Sequence, residues 1–264
     1  MSLVLSSISR LETYLKFNLN IVKAFLRKIY GVSHKMEPML YRSELFSELK
    51  SLVGNDYFES GRFLEIGPKD GLDSYRLAAL KPEELVLVDL PEKRYSIERW
   101  LHKIVCPYKF VEANIMYMSR EDFVSLGKFD LVWCTGVLYH NAEQLRFLRK
   151  LYNLLSPGGY LVLESATLRD SRQLRSGNFV QIHYPDTYND TGTITHFPTR
   201  GAIKTWLNMV GFKDIYDSLC YRASDRRLAQ HRYACICQRP MTDSSGTYYA
   251  KSGCNPTYIL GEST

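Results

Sequence analysis

The chain predicts an α/β fold: a doubly wound, seven-stranded sheet closed by a terminal antiparallel strand pair, with an N-terminal helical extension. Three observations predict it. Short apolar runs of strand length recur at Phe63–Ile66, Leu85–Val88 and Leu131–Cys134, as inner parallel strands do when both their faces are buried. The first run is followed by a turn with Gly67 and Gly71, and the second closes on a carboxylate, Asp89. Near the C-terminus, Gly211–Leu219 and Arg232–Gln238 read as two strands joined by a polar, basic loop, which supplies the antiparallel pair.

From about Ser9 to Tyr30, residues Leu11, Tyr14, Leu15, Leu19, Val22, Phe25, Leu26 and Ile29 recur at helical spacing, with Lys16, Lys23, Arg27 and Lys28 among the polar positions. Two readings stand: a helix covering the sheet or the site, or a basic amphipathic helix lying on a membrane. Residues 1–55 are assigned to this extension. In the segment Arg62–Gly71, a strand runs into a turn that opens a helix, and glycines there let backbone approach a ligand with no Cβ in the way. Phe110–Ile115 closes the third strand. Phe129–Asn141 is the fourth strand with its exit loop, and Leu154–Glu164 is a helix end, a Pro157-Gly158-Gly159 turn and the fifth strand. Between Gln181 and Phe197 the His, Tyr, Asp, Asn and Thr residues read either as a plain surface loop or as an acceptor lid. The catalytic domain is assigned to residues 56–240, and the Ser-, Thr- and Gly-rich residues 241–264 to a poorly ordered tail.

Composition narrows the class. An apolar share of 45% excludes a disordered chain. The net charge of +6 admits a polyanionic partner, but the basic residues are scattered and form no recognisable nucleic-acid module. Six cysteines lack metal spacing, so no metal centre is expected. Cys235 and Cys237 share one strand face and read as buried free thiols of a reducing, cytoplasmic compartment. No signal peptide or membrane span is expected, and oligomeric state is left open.

The glycine turn has the spacing Glu65-x-Gly67-x-x-x-Gly71, not the G-x-G-x-x-G of a dinucleotide site. An acid two places before the first glycine repels a pyrophosphate but suits a cationic amino-acid ligand. Asp89, at the tip of the next strand, is placed to accept hydrogen bonds from two ribose hydroxyls. The cofactor-binding candidates are therefore Glu65, Gly67, Pro68, Lys69 and Gly71 in the turn, Asp89 and Leu90 after the second strand, Asn114 and Ile115 after the third, and Thr135 after the fourth. A hydroxyl acceptor also needs a group to take its proton. His140, directly after the fourth strand, and Glu164 are the candidates, with the alternative that each merely anchors a loop. His183, Tyr184 and His196 are candidates for acceptor binding.

These motifs, in this order, resemble class I S-adenosylmethionine-dependent methyltransferases, whose Rossmann-like domain opens with Glu/Asp-x-Gly-x-Gly-x-Gly. Glu65, Gly67 and Gly71 match the acid and the outer glycines, and Lys69 stands where the middle glycine belongs. A closer resemblance lies in Tyr30-Gly-Val32, Tyr41-Arg-Ser43, Gly136-Val-Leu-Tyr-His140, Thr195-His-Phe-Pro-Thr199, Trp206-Leu207 and Gly211-Phe212. Together they are similar to the tRNA wobble-uridine carboxymethyltransferase family, which works from carboxy-S-adenosylmethionine. The resemblance implies that Tyr139 and Arg232 face the transferred group, since that family holds the extra carboxylate with a tyrosine and an arginine at the matching positions. Departures are the missing Lys-Gly-Pro-Phe run, with Leu26-Arg-Lys-Ile29 in its neighbourhood, and Glu44-Leu-Phe46 after Arg-Ser. The expectation placed first is methyl transfer from S-adenosylmethionine to a hydroxyl of a small molecule or glycan, with Tyr139, His140 and Glu164 as catalytic residues. Its alternatives are a carboxymethyl- or methyltransferase acting on tRNA and a non-catalytic partner subunit.

Overall fold

The computed structural model describes residues 37–54, 56–91, 102–104, 106–168, 177–184, 194–224 and 232–242. The helical pattern over residues 9–30, the motif at Tyr30–Val32, the centre of the polar run (185–193), the basic connection (225–231) and the tail beyond Thr242 lie outside them. The chain divides into two units, residues 1–44 and 45–264. The described part of the first is the opening of helix α1 (Glu37–Val53); all other described elements belong to the second.

In chain order these are β1 (Arg62–Ile66), α2 (Leu72–Ala78), β2 (Glu84–Asp89), β3 (Tyr108–Glu112), α3 (Arg120–Ser125), β4 (Phe129–Thr135), α4 (Gln144–Leu154) and β5 (Leu155–Ala166). They continue as β6 (Val180–His183), β7 (Thr195–Pro198), α5 (Arg200–Val210), β8 (Lys213–Asp217), α6 (Leu219–Ser224) and β9 (Arg232–Gln238). Seven strands form one sheet in the order β3-β2-β1-β4-β5-β9-β8, and β6 and β7 form a separate antiparallel pair. The first five of that order run parallel, while β9 is antiparallel to both neighbours. Strand order reverses between β1 and β4, and ligands of open α/β sheets bind in the crevice at such a point.

Burial explains the layers. Leu64, Ile66, Val86, Val88, Val132 and Cys134 pack in one cluster with Phe147, Leu148 and Leu151 of α4 and Ile203 and Leu207 of α5. On the central strand β4 the fully buried Trp133 stacks instead on Phe46 of α1, ring centroids 4.0 Å apart. α5 starts where Thr199 Oγ1 accepts the Ala202 N–H at 3.2 Å and stops at Gly211, whose φ of 115° gives the left-handed cap.

Three expectations change in detail. Pro157-Gly158-Gly159 is part of β5 and not a turn before it, and pairing with β4 shifts register between Phe129 and Leu131. A Cβ on Gly159 would lie 2.9 Å from the Ser156 carbonyl and 3.0 Å from that of Asp130, so only glycine lets the strands come this close. The segment after β8 opens with the short helix α6, and the polar run expected as one loop has paired strands, β6 and β7, at its ends. Cys235 and Cys237 sit buried and unbridged in β9. No helix among the described residues is long and apolar enough to cross a membrane, and those residues hold no metal-ligating cluster of three or more.

Candidate functional site

The carboxyl ends of β1, β2 and β4 meet at the order reversal. Glu65 of β1 is buried and accepts the Ser74 hydroxyl at 2.5 Å, which ties the strand to α2 across the glycine turn. Gly67 donates its N–H to the Val88 carbonyl at 2.9 Å, and Gly71 donates to Pro68 at 2.8 Å before capping α2. At Gly67 φ is +71°, and a Cβ would lie 2.5 Å from Val137 Cγ2, so the turn is packed against the loop that leaves β4. Lys69 keeps the turn left-handed, with φ 55° and an exposed side chain.

The Asp89 carboxylate stands between two loops. One oxygen accepts the Lys69 N–H at 3.4 Å and the other accepts its neighbour Leu90 at 2.8 Å. After β3, Ala113 donates to the Asp89 carbonyl at 2.9 Å, and Asn114 Oδ1 accepts the Met116 N–H at 3.0 Å. Ile115 is buried and its carbonyl accepts Lys150 Nζ at 3.0 Å. Thr135 is turned inward: its hydroxyl lies 3.4 Å from Asp73 Oδ2, which also takes Trp133 Nε1 at 3.3 Å. A carboxylate at the tip of β2, flanked by a glycine turn and a third loop, fits the ribose and base of an adenosine-containing cofactor.

The second half is built on the 3-10 turn Leu138–His140. Gly136 donates to the Glu164 carbonyl at 2.9 Å, anchoring this turn to β5. The Glu164 side chain is fully buried and bonds Arg232 through both oxygens, Nε to Oε1 and Nη2 to Oε2, the latter at 2.8 Å. Burial alone would lower the Arg232 pKa, but attraction and hydrogen bonding to Glu164 outweigh it and hold the guanidinium charged. The guanidinium carbon lies 5.5 Å from the centre of the Tyr139 ring. Tyr139 in turn lies 4.1 Å from the His140 ring and 5.9 Å from Phe197.

The β6–β7 pair joins through Phe197 and Gln144. His183 meets Phe197 edge to face at 5.2 Å. The buried Gln144 amide donates to the carbonyls of His196 at 2.9 Å and Leu138 at 3.2 Å, linking the pair to the turn. Thus Tyr139, His140, Glu164 and Arg232 converge, and His183 approaches them through Phe197. His196 alternates with Phe197 on β7 and joins the turn only through its backbone carbonyl, and Tyr184 is 79% exposed. Asp73, Ser74, Val137, Gln144, Lys150 and Phe197 also help to build the site, though none is a site candidate from the sequence. Lys150 carries a signal, a charge amid the apolar stripe Phe147, Leu148, Leu151, and Val137 and Phe197 lie within the runs Gly136–His140 and Thr195–Thr199 that carry the family resemblance.

A family profile described as a methyltransferase domain matches residues 39–216, more than half of the chain. The tRNA U34 carboxymethyltransferase of Sulfurovum sp. (strain NBC37-1) is 26% identical over 187 residues, covering 69% of this chain and 58% of the relative. That of Syntrophotalea carbinolica (strain DSM 2380 / NBRC 103641 / GraBd1) is 30% identical over 159 residues, covering 58% and 45% respectively. The chain therefore spans about half the length of the curated relatives it matches. Among solved structures, the N-terminal domain of EvdMO1 with SAH bound superposes with a TM-score of 0.55 at 19% identity, covering 72% of this chain and 79% of that one. An S-adenosylmethionine dependent methyltransferase from Mesorhizobium loti gives 0.53 at 16% identity, covering 73% and 96%. At these identities the likeness is one of fold.

Proposed function

We propose, for a chain that belongs to the methyltransferase-domain family, that it transfers the sulfonium-bound carbon group of S-adenosylmethionine, or of its carboxylated form, to a nucleoside of tRNA. The observation that carries this reading is the convergence of Tyr139 and Arg232 beside the turn that leaves β4. These positions match the two with which the carboxymethyltransferase family holds the extra carboxylate, and the curated relatives cited above are tRNA U34 carboxymethyltransferases. An arginine suits a carboxylate because its planar fork presents paired donors.

Each residue then has a stated task. Asp89 accepts the ribose hydroxyls, the Gly67–Gly71 turn brings backbone against the methionine end, and Glu65 holds that turn through Ser74. Asn114 and Ile115 flank the adenine. Transfer is an in-line displacement at the carbon bound to the sulfonium, with the thioether sulfur leaving, so the protein chiefly aligns the acceptor and keeps water out. His140, beside Tyr139, takes the acceptor's proton. His183 approaches the acceptor from the β6–β7 pair, beside Phe197.

One observation favours the reading placed first from the sequence, ordinary methyl transfer to a small-molecule or glycan hydroxyl. Glu164 engages Arg232 through both oxygens, so a cofactor carboxylate would meet an already neutralised guanidinium. A non-catalytic partner subunit draws no support from Lys69, which keeps the left-handed turn without the middle glycine.

Calorimetric titration with S-adenosylmethionine and, separately, carboxy-S-adenosylmethionine tests the proposal, followed by a transfer assay on tRNA. Preference for the carboxylated form, with tRNA binding that falls steeply as salt is raised, is the expected outcome. Preference for the ordinary form with no tRNA binding at low salt moves the assignment to the small-acceptor reading. Binding of neither cofactor sinks both.

A further inference from the structure

Helix α4 presents Phe147, Leu148, Leu151 and Leu154 to the core, each no more than 1% exposed, and Lys150 is buried to the same degree. An ammonium in such a face is unfavourable unless charge and donors are met. Two contacts meet them: Nζ donates to the Ile115 carbonyl at 3.0 Å and lies 4.8 Å from the centre of the Phe123 ring. Burial, and then Arg146 one turn earlier, push the Lys150 pKa down, while Glu143 opposes them. A leucine or methionine would fill this volume without the desolvation cost but could not make the bond to the Ile115 carbonyl.

That bond reaches the loop leaving β3, on the adenine side of the proposed cofactor site. Ala113 bonds the Asp89 carbonyl at 2.9 Å, and the Asn114 side chain closes a tight turn onto Met116 at 3.0 Å. Both ties are local to the sheet end. Lys150 instead holds the loop to a helix 35 residues further on, across the core. We infer that Lys150 is a positioning residue for the adenine end of the cofactor: it fixes the Ile115 carbonyl, and so the loop wall against which the base lies. This rests on the reading of Asp89, Asn114 and Ile115 as cofactor-binding.

The test compares the full chain with Lys150→Met, which keeps length and volume but removes the donor, and with Leu151→Ala, a core truncation on the same helix. Affinities for S-adenosylhomocysteine and for adenosine alone are measured by calorimetry beside thermal melts. Lys150→Met is expected to weaken both ligands by the same factor, about tenfold, because the lost contact lies on the part they share. Leu151→Ala is expected to lower the melting temperature and leave both affinities within about twofold. Should Lys150→Met not fold, Lys150→Gln, which retains a donor on a shorter arm, is expected to show a smaller common loss. Unchanged affinities in the folded Lys150 variant overturn the assignment, as does an equal loss in Leu151→Ala at matched melting temperature. If the parent chain binds neither ligand, the cofactor reading falls and takes this inference with it.

Discussion

At Gly67 two constraints coincide. The backbone has φ +71°, and the position of a Cβ lies 2.5 Å from Val137 Cγ2. Val137 is β-branched, so its methyl cannot swing away without leaving its rotamer. Gly67→Ala is therefore expected to destabilise the fold by about 2–3 kcal/mol, from left-handed strain together with the clash. In the double variant with Val137→Ala the clash is removed and the strain remains, so about half of that loss should return in a urea melt. An additive double variant would show that the turn and the loop after β4 are not packed together. The same scale shows what was readable beforehand. Glu65, Gly67 and Asp89 declare themselves by spacing, since a strand end, a turn and a ribose-binding carboxylate lie close in the chain. Their side-chain partners do not: Ser74 is only nine residues from Glu65 but has no distinguishing residue type in a helix, and Asp73 meets Trp133 across 60 residues.

Between elements, the Glu164–Arg232 pair joins β5 to β9, one strand being antiparallel to the other with Ala166 opposite Arg232. Removing the arginine alone leaves a buried carboxylate without its counter-charge. Arg232→Met is expected to cost about 3–5 kcal/mol, whereas Arg232→Met with Glu164→Leu should return to within about 1–2 kcal/mol of the parent. Chemical denaturation of the three proteins checks this; a single variant as stable as the double would show that the pair is solvated. The pH dependence has a definite sign. A group whose pKa is raised on folding adds stability below its unfolded value and loses it only as pH rises through the folded value. For Arg232 that value is raised further from one already very high, so no alkaline loss of the pair is expected. The sheet strands were legible because buried parallel strands are continuous apolar runs. The strands β6 and β7 were not: each has four residues, and the brief alternation Val180-Gln181-Ile182-His183 is too short to stand out from a polar loop and puts its apolar members on the exposed face. Pro157-Gly158-Gly159 read as a turn because these residues punctuate loops elsewhere, and close strand approach uses the same residues.

For the molecule as a whole, the order β3-β2-β1-β4-β5-β9-β8 gathers onto one sheet edge residues as distant in sequence as Gly67 and Arg232. Right-handed crossovers between parallel strands restrict such topologies, which is why the edge could be anticipated. What the β6–β7 pair adds to that edge depends on Gln144 and Phe197, contacts that no short-range pattern announces. If the edge is the cofactor site, binding must stabilise the unit of residues 45–264, because the unfolded chain has no such site. At about one hundred times its dissociation constant, S-adenosylhomocysteine should add about 2.7 kcal/mol. For a unit of this size that is a rise in melting temperature of about 5–10 °C. Asp89→Ala removes the acceptors expected for the ribose hydroxyls and should weaken binding by about 1–3 kcal/mol. At the same ligand concentration its melting shift should therefore fall to between about two-thirds and about one-tenth of the parent's, while the unliganded variant melts near the parent temperature. An undiminished shift in Asp89→Ala would move the ribose away from the tip of β2, and with it the adenosyl cofactor from the crevice at the order reversal.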